Sequence, residues 1–235
     1  MDLFATATDI LAIAIPVLIA ITSHEAAHGF VAHRLGDDTA YRLGRVTFNP
    51  FRHIDAFGTI LLPALLWISF HFLFGWAKPV PVDFSRLRRP RRDMVLVAAA
   101  GPGVNILIAI VSAILLNVSG AIFGSATGVG EWLGEAFNTS VVINVVLAVF
   151  NMLPLPPLDG GRVAVGLLPD RLAFPLARLE RWGLPIIIAV LFLIPWLAAQ
   201  IGLGYNVSVF NWVILPIVEF VVHIIEILTG TQIAV

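Results

Sequence analysis

The stretch 10–32, ILAIAIPVLIAITSHEAAHGFVA, decides the fold of this chain. It is apolar up to Ile21 apart from small residues and Pro16, and it becomes apolar again after His28. About 20 apolar residues are enough for an α-helix to cross a bilayer. We therefore predict a membrane-spanning helix over about residues 8–33, which carries two histidines and a glutamate at membrane depth.

The composition of the whole chain is that of a membrane protein. Of its 235 residues, 59% are hydrophobic and only 12% are charged, whereas soluble domains carry about 25% charged residues. In lipid every span must satisfy its own backbone hydrogen bonds, so we predict an all-α polytopic membrane protein. The chain has no cysteine, so any metal site must use histidine and carboxylate ligands.

Apolar stretches along the chain predict five or six transmembrane helices. They lie at about 8–33, 57–75, 94–118, 139–168, 185–203 and 208–229. The second stretch is the weakest because Gly58 and Pro63 interrupt it. It either crosses the membrane or enters and returns on the same side as a re-entrant segment.

The basic residues favour the re-entrant interpretation. They fall in three segments: after the first span, before the span at 94–118, and around the end of the span at 139–168. If 57–75 returns, all three segments lie on one face, which the positive-inside rule makes cytoplasmic. A full crossing would split the basic residues four against ten. We therefore expect five spans in the cell membrane, with the N-terminus outside and the C-terminus in the cytoplasm.

His24, Glu25 and His28 form an H-E-x-x-H motif, which is the zinc signature of metalloproteases. Two residues four apart on a helix differ by about 40° around its axis and by about 6 Å along it. Both imidazoles can therefore reach one metal ion, with Glu25 beside them as a candidate base. Such side chains are costly inside a bilayer, which favours a functional site over a chance match.

A third candidate ligand lies in residues 151–162, NMLPLPPLDGGR. Three prolines within four residues cannot continue an ordinary helix. Irregular backbone at membrane depth is tolerated where it is buried in protein or lines a wet cavity. Asp159 would be an intramembrane carboxylate in need of a partner, and two histidines with one carboxylate leave the fourth zinc position open for water. The alternative is an interfacial turn capped by Asp159.

Three motifs together resemble the site-2 protease family of intramembrane zinc metalloproteases. They are His24-Glu25-x-x-His28, Ala100-Gly101-Pro102-x-x-Asn105 and Asn151-x-Leu153-Pro154-x-x-Pro157-Leu158-Asp159-Gly160-Gly161. The resemblance implies one zinc ion per chain, held by His24, His28 and Asp159. It also implies that Glu25 is the general base and that Asn151 holds the substrate or the reaction intermediate.

The resemblance further implies a function in regulated intramembrane proteolysis. A peptide bond within or near the transmembrane segment of a membrane protein would be hydrolysed close to the cytoplasmic side. The chain lacks the PDZ or other regulatory module of larger members, so we expect one membrane-embedded domain over 1–235, with a catalytic core at about 8–168 and additional helices at about 185–229. The alternatives are a catalytically silent relative that acts as a membrane scaffold, and a metal transporter.

Two connecting segments are candidates for holding an extended substrate by strand pairing. Residues 39–50 have β-prone side chains around Gly44 and predict a short β-hairpin, and residues 76–82 are extended by their prolines. An ordered connector is an equal alternative for both. The arginine run at 86–92 indicates contact with anionic lipid headgroups rather than with nucleic acid.

The remaining amides and histidines receive structural roles at this stage. Asn105 and Asn144 are predicted to form hydrogen bonds between helices. His33 and His53 are predicted to be solvated, because they lie among the charges of a connecting segment. His71, in the stretch that dips into the membrane, is a weaker candidate for the third metal ligand than the aspartate.

Overall fold

The computed structural model describes residues 3–70, 75–124, 128–202 and 208–235, and within these ranges the chain is helical without any β-strand. The α-helices are α1 (Leu3–Leu35), α2 (Thr39–Arg42), α3 (Leu62–Phe70), α4 (Pro90–Phe123), α5 (Gly128–Asn151), α6 (Asp159–Leu167), α7 (Asp170–Arg178), α8 (Glu180–Ile188), α9 (Ile194–Gln200) and α10 (Leu215–Thr229). Three π-helical segments continue into these helices: Ala56–Leu61 before α3, Ala189–Leu193 between α8 and α9, and Phe210–Ile214 before α10. Short 3₁₀ turns lie at Pro50–His53 and Phe84–Arg86.

Five helices in these ranges are long and apolar enough to cross a membrane. They are Ala7–Leu35, Pro90–Phe123, Gly128–Asn151, Glu180–Gln200 and Phe210–Thr229. The prediction of an all-α polytopic membrane protein with five spans is confirmed. The bounds predicted for the third span, 139–168, are wrong. That helix begins earlier, at Gly128, and apolar length missed its first turns because they carry the exposed Glu131 and Glu135. It ends at Asn151, ahead of the prolines.

The centre of the fold consists of α1, α4 and α5, which pack along one another. α1 buries the small residues Ala12, Ala20 and Ala32, which allow neighbouring backbones to approach closely. α10 packs against α4 and α5. The apolar core that these three helices share consists of Ala109, Ala113, Val141, Val145, Val149, Ile214, Val218, Val222 and Ile225.

The start of the stretch 57–75 lies next to the residue that follows it. The Asp55 carboxylate accepts two backbone N–H groups and begins the π-helical turn that leads into α3. After the stretch, the Trp76 N–H donates to the Gly58 carbonyl over 3.0 Å. Its beginning and end are therefore adjacent, in agreement with the re-entrant interpretation. His71 lies outside the described residues.

The structure contradicts the β-hairpin considered for residues 39–50. The carboxylate of the fully buried Asp37 accepts the backbone N–H of Thr39 over 3.0 Å, at the first residue of the short helix α2. An aspartate in this position favours a local turn over an extended strand. The second segment, 76–82, is extended as its prolines predict, but it pairs with no strand in the described part of the chain.

The re-entrant path predicts which residues share a side of the membrane, and the absence of cysteine makes single substitutions clean. We expect Arg52→Cys and Ser85→Cys to react with a membrane-impermeant maleimide from one side. Glu131→Cys is expected to react only from the other side, because α4 lies between Ser85 and Glu131. Labelling of intact spheroplasts and of inverted vesicles measures this. Opposite labelling of Arg52→Cys and Ser85→Cys would show a crossing.

Candidate metal centre

Three buried side chains converge where α1 meets the beginning of α6. The Nε2 atoms of His24 and His28 lie 3.0 Å apart. Asp159 Oδ2 lies 3.2 Å from His24 Nε2 and 3.3 Å from His28 Nε2. These residues are the one group of three His, Asp or Glu side chains in the described ranges that could hold a metal ion. The sequence predicted all three candidates, and the fold brings Asp159 to the two histidines of α1.

The hydrogen bonds of the two imidazoles determine which ring nitrogen carries the proton. His28 Nδ1 donates to the Val97 carbonyl over 2.7 Å. His24 Nδ1 lies 2.6 Å from Asn105 Oδ1. The Asn105 amide nitrogen donates to the Ala20 carbonyl, so its oxygen faces His24 and accepts. Both histidines are therefore protonated at Nδ1 when neutral, and each has a lone pair at Nε2.

This arrangement fits a zinc ion. Two lone pairs and the Asp159 carboxylate face one another, and Asp159 Oδ2 is buried without a hydrogen-bond partner in the described part of the structure. Negative and lone-pair density repels unless a cation lies between the donors. Tetrahedral zinc with bonds of about 2.0–2.1 Å needs ligand atoms about 3.3 Å apart, close to the separations found here. Histidine nitrogen and carboxylate oxygen are also the ligand types that zinc takes in catalytic sites.

A buried amide network on α4 and α5 supports His24. The Asn105 amide also donates to Asn144 Oδ1 over 2.8 Å, and Asn144 in turn donates to the Ser140 carbonyl. Both asparagines are fully buried. The sequence predicted hydrogen bonds between helices here, but not that Asn105 contacts a candidate metal ligand. The available signal was Asn105 itself inside the predicted span 94–118, since an amide within a membrane span needs several partners.

Gly101 on α4 makes room for the two imidazoles. A Cβ atom at this position would lie 2.5 Å from His28 Nε2 and 2.6 Å from His24 Nε2. Real Cβ atoms do not approach other atoms this closely, so any side chain would displace the rings. Gly101 therefore gives the two candidate ligands the space that they occupy against α4.

The proline-rich turn between α5 and α6 positions Asp159. The backbone turns back on itself over residues 152–158, and Asp159 is the first residue of α6. A side chain at Gly161 would overlap the backbone at Pro156, so the glycine allows α6 to begin directly against the turn. The carboxylate is thereby brought to α1 from a helix that follows a later span.

All five residues predicted for the site line one cavity of about 710 Å³. They are His24, Glu25, His28, Asn151 and Asp159. Glu25 Oε2 accepts the backbone N–H of Val80 over 2.7 Å, which ties the extended segment 76–82 to α1. The Asn151 amide donates to the Leu147 carbonyl of its own helix over 3.0 Å and retains a second N–H.

His53 also lines this cavity, and the prediction that it is solvated is wrong. It is only 2% exposed, because the 3₁₀ turn Pro50–His53 folds its ring against the preceding segment. The available signal was the Asn49-Pro50 pair, which favours a tight turn. His33 is exposed as predicted, and its ring stacks on Tyr41.

Comparison with known proteins identifies the family. Residues 12–194 match the family described as Peptidase family M50. The chain belongs to this family. Several relatives of this M50 chain carry the name of a zinc metalloprotease, and no solved structure matches it. With this family, the zinc-compatible group and five membrane-spanning helices, the chain is a zinc metalloprotease embedded in a membrane.

Three relatives illustrate the extent of the similarity. "Putative zinc metalloprotease YwhC" of Bacillus subtilis is 39% identical over 184 residues, which cover 77% of this chain and 80% of that protein. "Putative zinc metalloprotease Rip2" of Mycobacterium tuberculosis (strain ATCC 25618 / H37Rv) is 32% identical over 77% of this chain and 66% of that protein. Rip2 of Mycolicibacterium smegmatis is 31% identical over 74% of this chain and 64% of that protein. This M50 chain thus spans about two thirds of the Rip2 proteins.

Adding a single methyl group at Gly101 tests its close approach to the imidazoles. We expect Gly101→Ala to displace both rings and to lower the zinc bound per chain well below that of the wild type. The matched control is Gly103→Ala on the same helix, where an added Cβ meets nothing within 4 Å. Metal analysis of the proteins purified in detergent measures the difference. Equal zinc in both variants would contradict the assignment.

Proposed function

We propose that His24, His28 and Asp159 hold the zinc ion and that Glu25 is the general base of peptide hydrolysis. The proposed substrate is a membrane protein cut within or near its transmembrane segment, close to the cytoplasmic side. The single observation that carries this proposal is the convergence of two Nε2 atoms and one carboxylate oxygen at 3.0–3.3 Å, in the cavity that Glu25 also lines.

The proposed roles follow from the hydrogen bonds of each residue. Zinc, when bound, supplies Lewis-acid activation of water and of the substrate carbonyl. Glu25 takes the proton of the attacking water and delivers it to the leaving amine. The Val80 N–H holds Glu25 Oε2, which leaves Oε1 for the proton. The second N–H of Asn151 donates to the developing oxyanion from the cavity wall.

The cytoplasmic location rests on the basic segments. α1 and α5 run in the same direction across the fold, because α4 reverses the chain between them, and their ends bring together the histidines and the turn before Asp159. Basic residues follow α1, precede α4 and surround α6 and α7. By the positive-inside rule this face is cytoplasmic, so we propose an outer N-terminus and a cytoplasmic C-terminus. The run at 86–92 is placed to contact anionic headgroups.

We also propose that residues 1–235 act as a single domain, with its core at 8–168 and the helices at 185–229 packed on it. Two contacts support this proposal. Gly183 of α8 lies directly against the backbone of Pro156 in the turn that precedes Asp159. α10 contributes four fully or almost fully buried residues to the apolar core of α4 and α5 when its π-helical start is included.

The two alternatives are less well supported. A metal transporter would need further ligands along a path through the membrane, and the described residues contain only one group that could hold a metal ion. A catalytically silent relative would have lost part of the chemistry, whereas both histidines, Glu25 and Asp159 are all present in one cavity.

The decisive test separates zinc binding from hydrolysis. Wild type and Glu25→Gln are purified in detergent, and zinc per chain is measured beside cleavage of single-span peptides of about 20 apolar residues that carry central helix-breaking pairs. We expect about one zinc in both proteins and cleavage by the wild type alone, because the amide cannot accept the proton. Cleavage by Glu25→Gln would exclude Glu25 as the base. Wild type without zinc after reconstitution would overturn the proposal.

The amide network predicts a second effect on zinc. Asn105→Leu removes the acceptor of the His24 N–H, and residues that orient metal ligands typically contribute 10–100-fold to metal affinity. We expect zinc affinity to fall by about that factor in chelator competition, with a lower melting temperature because Asn144 also loses a partner. Asn117→Leu, nearer the C-terminal end of α4 and bonded to Thr231 instead, is the control. Unchanged affinity in Asn105→Leu would show that the network does not orient His24.

A further inference from the structure

His53 lies outside the H-E-x-x-H motif, yet it borders the same cavity as the proposed general base. It is the last residue of the 3₁₀ turn Pro50–His53, it is almost fully buried, and it lines the same cavity as Glu25. Its carbonyl accepts the Lys78 N–H over 2.8 Å, which attaches the turn to the extended segment. His53 therefore contributes a carbonyl to the scaffold and is one of the residues that line the cavity.

The ring of His53 has a defined tautomer. Its Nε2 lies 2.9 Å from the Thr47 carbonyl, which can only accept, so Nε2 carries the proton. In the neutral ring Nδ1 is then a hydrogen-bond acceptor. Nδ1 is buried and has no partner among the described residues. Buried polar atoms are rarely left unpaired, and those that are call for a functional explanation.

The extended segment relates His53 to the proposed base. Lys78 bonds the carbonyl of His53, and Val80, two residues further on, bonds Glu25. Two extended residues span about 7 Å. This is also the spacing of backbone N–H groups that point to one side of an extended peptide. Both Glu25 and His53 line one cavity, so an extended peptide with its scissile bond near Glu25 lies beside both residues.

We infer that His53 Nδ1 accepts a hydrogen bond from a backbone N–H of the unwound substrate. Nδ1 is covered in the absence of substrate, so binding includes the displacement of the group that covers it. This inference rests on the proposed function, and it makes His53 a substrate-binding residue rather than a base. Because every residue except proline has a backbone N–H, such a contact selects extended backbone and tolerates many side chains. It also predicts that a proline in the substrate at the contacting position is disfavoured.

Two substitutions separate the ring nitrogens. The amide of His53→Gln extends to the position of Nε2, so it can still donate to Thr47 but offers no acceptor at Nδ1. The shorter His53→Asn places its amide oxygen near the position of Nδ1 and loses the bond to Thr47. His33→Gln is the matched control, because His33 is exposed and does not line the cavity.

The experiment measures binding in the Glu25→Gln background, where no cleavage occurs. The probe is a fluorescein-labelled peptide of about 20 apolar residues with a central Asn-Gly pair, followed by anisotropy in detergent. We expect His53→Gln to weaken binding by about two- to tenfold, the loss of one net hydrogen bond, with zinc content unchanged. His53→Asn is expected to bind closer to the parent with a lower melting temperature, and His33→Gln to change neither.

Kinetics with Glu25 restored give the second measurement. Loss of a contact made equally in the ground state and the transition state raises KM and leaves kcat unchanged. Parent-like binding by His53→Gln, no binding by the parent, or equal loss of binding in both His53 variants would overturn the inference. Wild type that binds the probe in a His53-dependent manner without cleaving any peptide would instead overturn the proposed reaction and retain the inference.

Discussion

The structure depends on bringing two imidazole lone pairs and a carboxylate together at the membrane. These groups repel one another unless a cation lies between them, so the protein must hold all three in position. His28 is held by the Val97 carbonyl and His24 by Asn105, both on α4. Each ring is thus oriented through Nδ1, and Nε2 is directed to the proposed metal position. α4 therefore acts as the template of the site, since it also provides the glycine that gives the rings space.

Asp159 reaches the histidines because the helical structure is interrupted between α5 and α6. Three prolines end α5 and bend the backbone, and the following glycines allow α6 to start against the bend. In lipid such a break would expose unpaired backbone groups, which cost several kcal/mol each. Here the turn is covered by α8 through Gly183, so the later spans protect the site although they supply none of the proposed ligands.

The extended segment 76–82 connects the reactive residues to the re-entrant part of the chain. It bonds to His53 in the preceding 3₁₀ turn, to Gly58 at the start of the re-entrant stretch and to Glu25 on α1. The segment 76–82 therefore positions the proposed base and also lines the cavity. It runs beside the proposed base without pairing to a strand in the described part of the chain.

The sequence by itself determined the helical membrane class, the five spans, the histidine pair and the prolines that interrupt the chain before Asp159. These follow from local rules: apolar length, the helical repeat, and the missing N–H of proline. Only the tertiary structure decided that Asn105 orients His24, that His53 is buried, and that residues 39–50 contain a helical turn instead of a hairpin. Such outcomes depend on which distant groups satisfy a buried polar atom, and hydrogen bonds between residues 105 and 24 or 53 and 78 leave no periodic trace in the sequence.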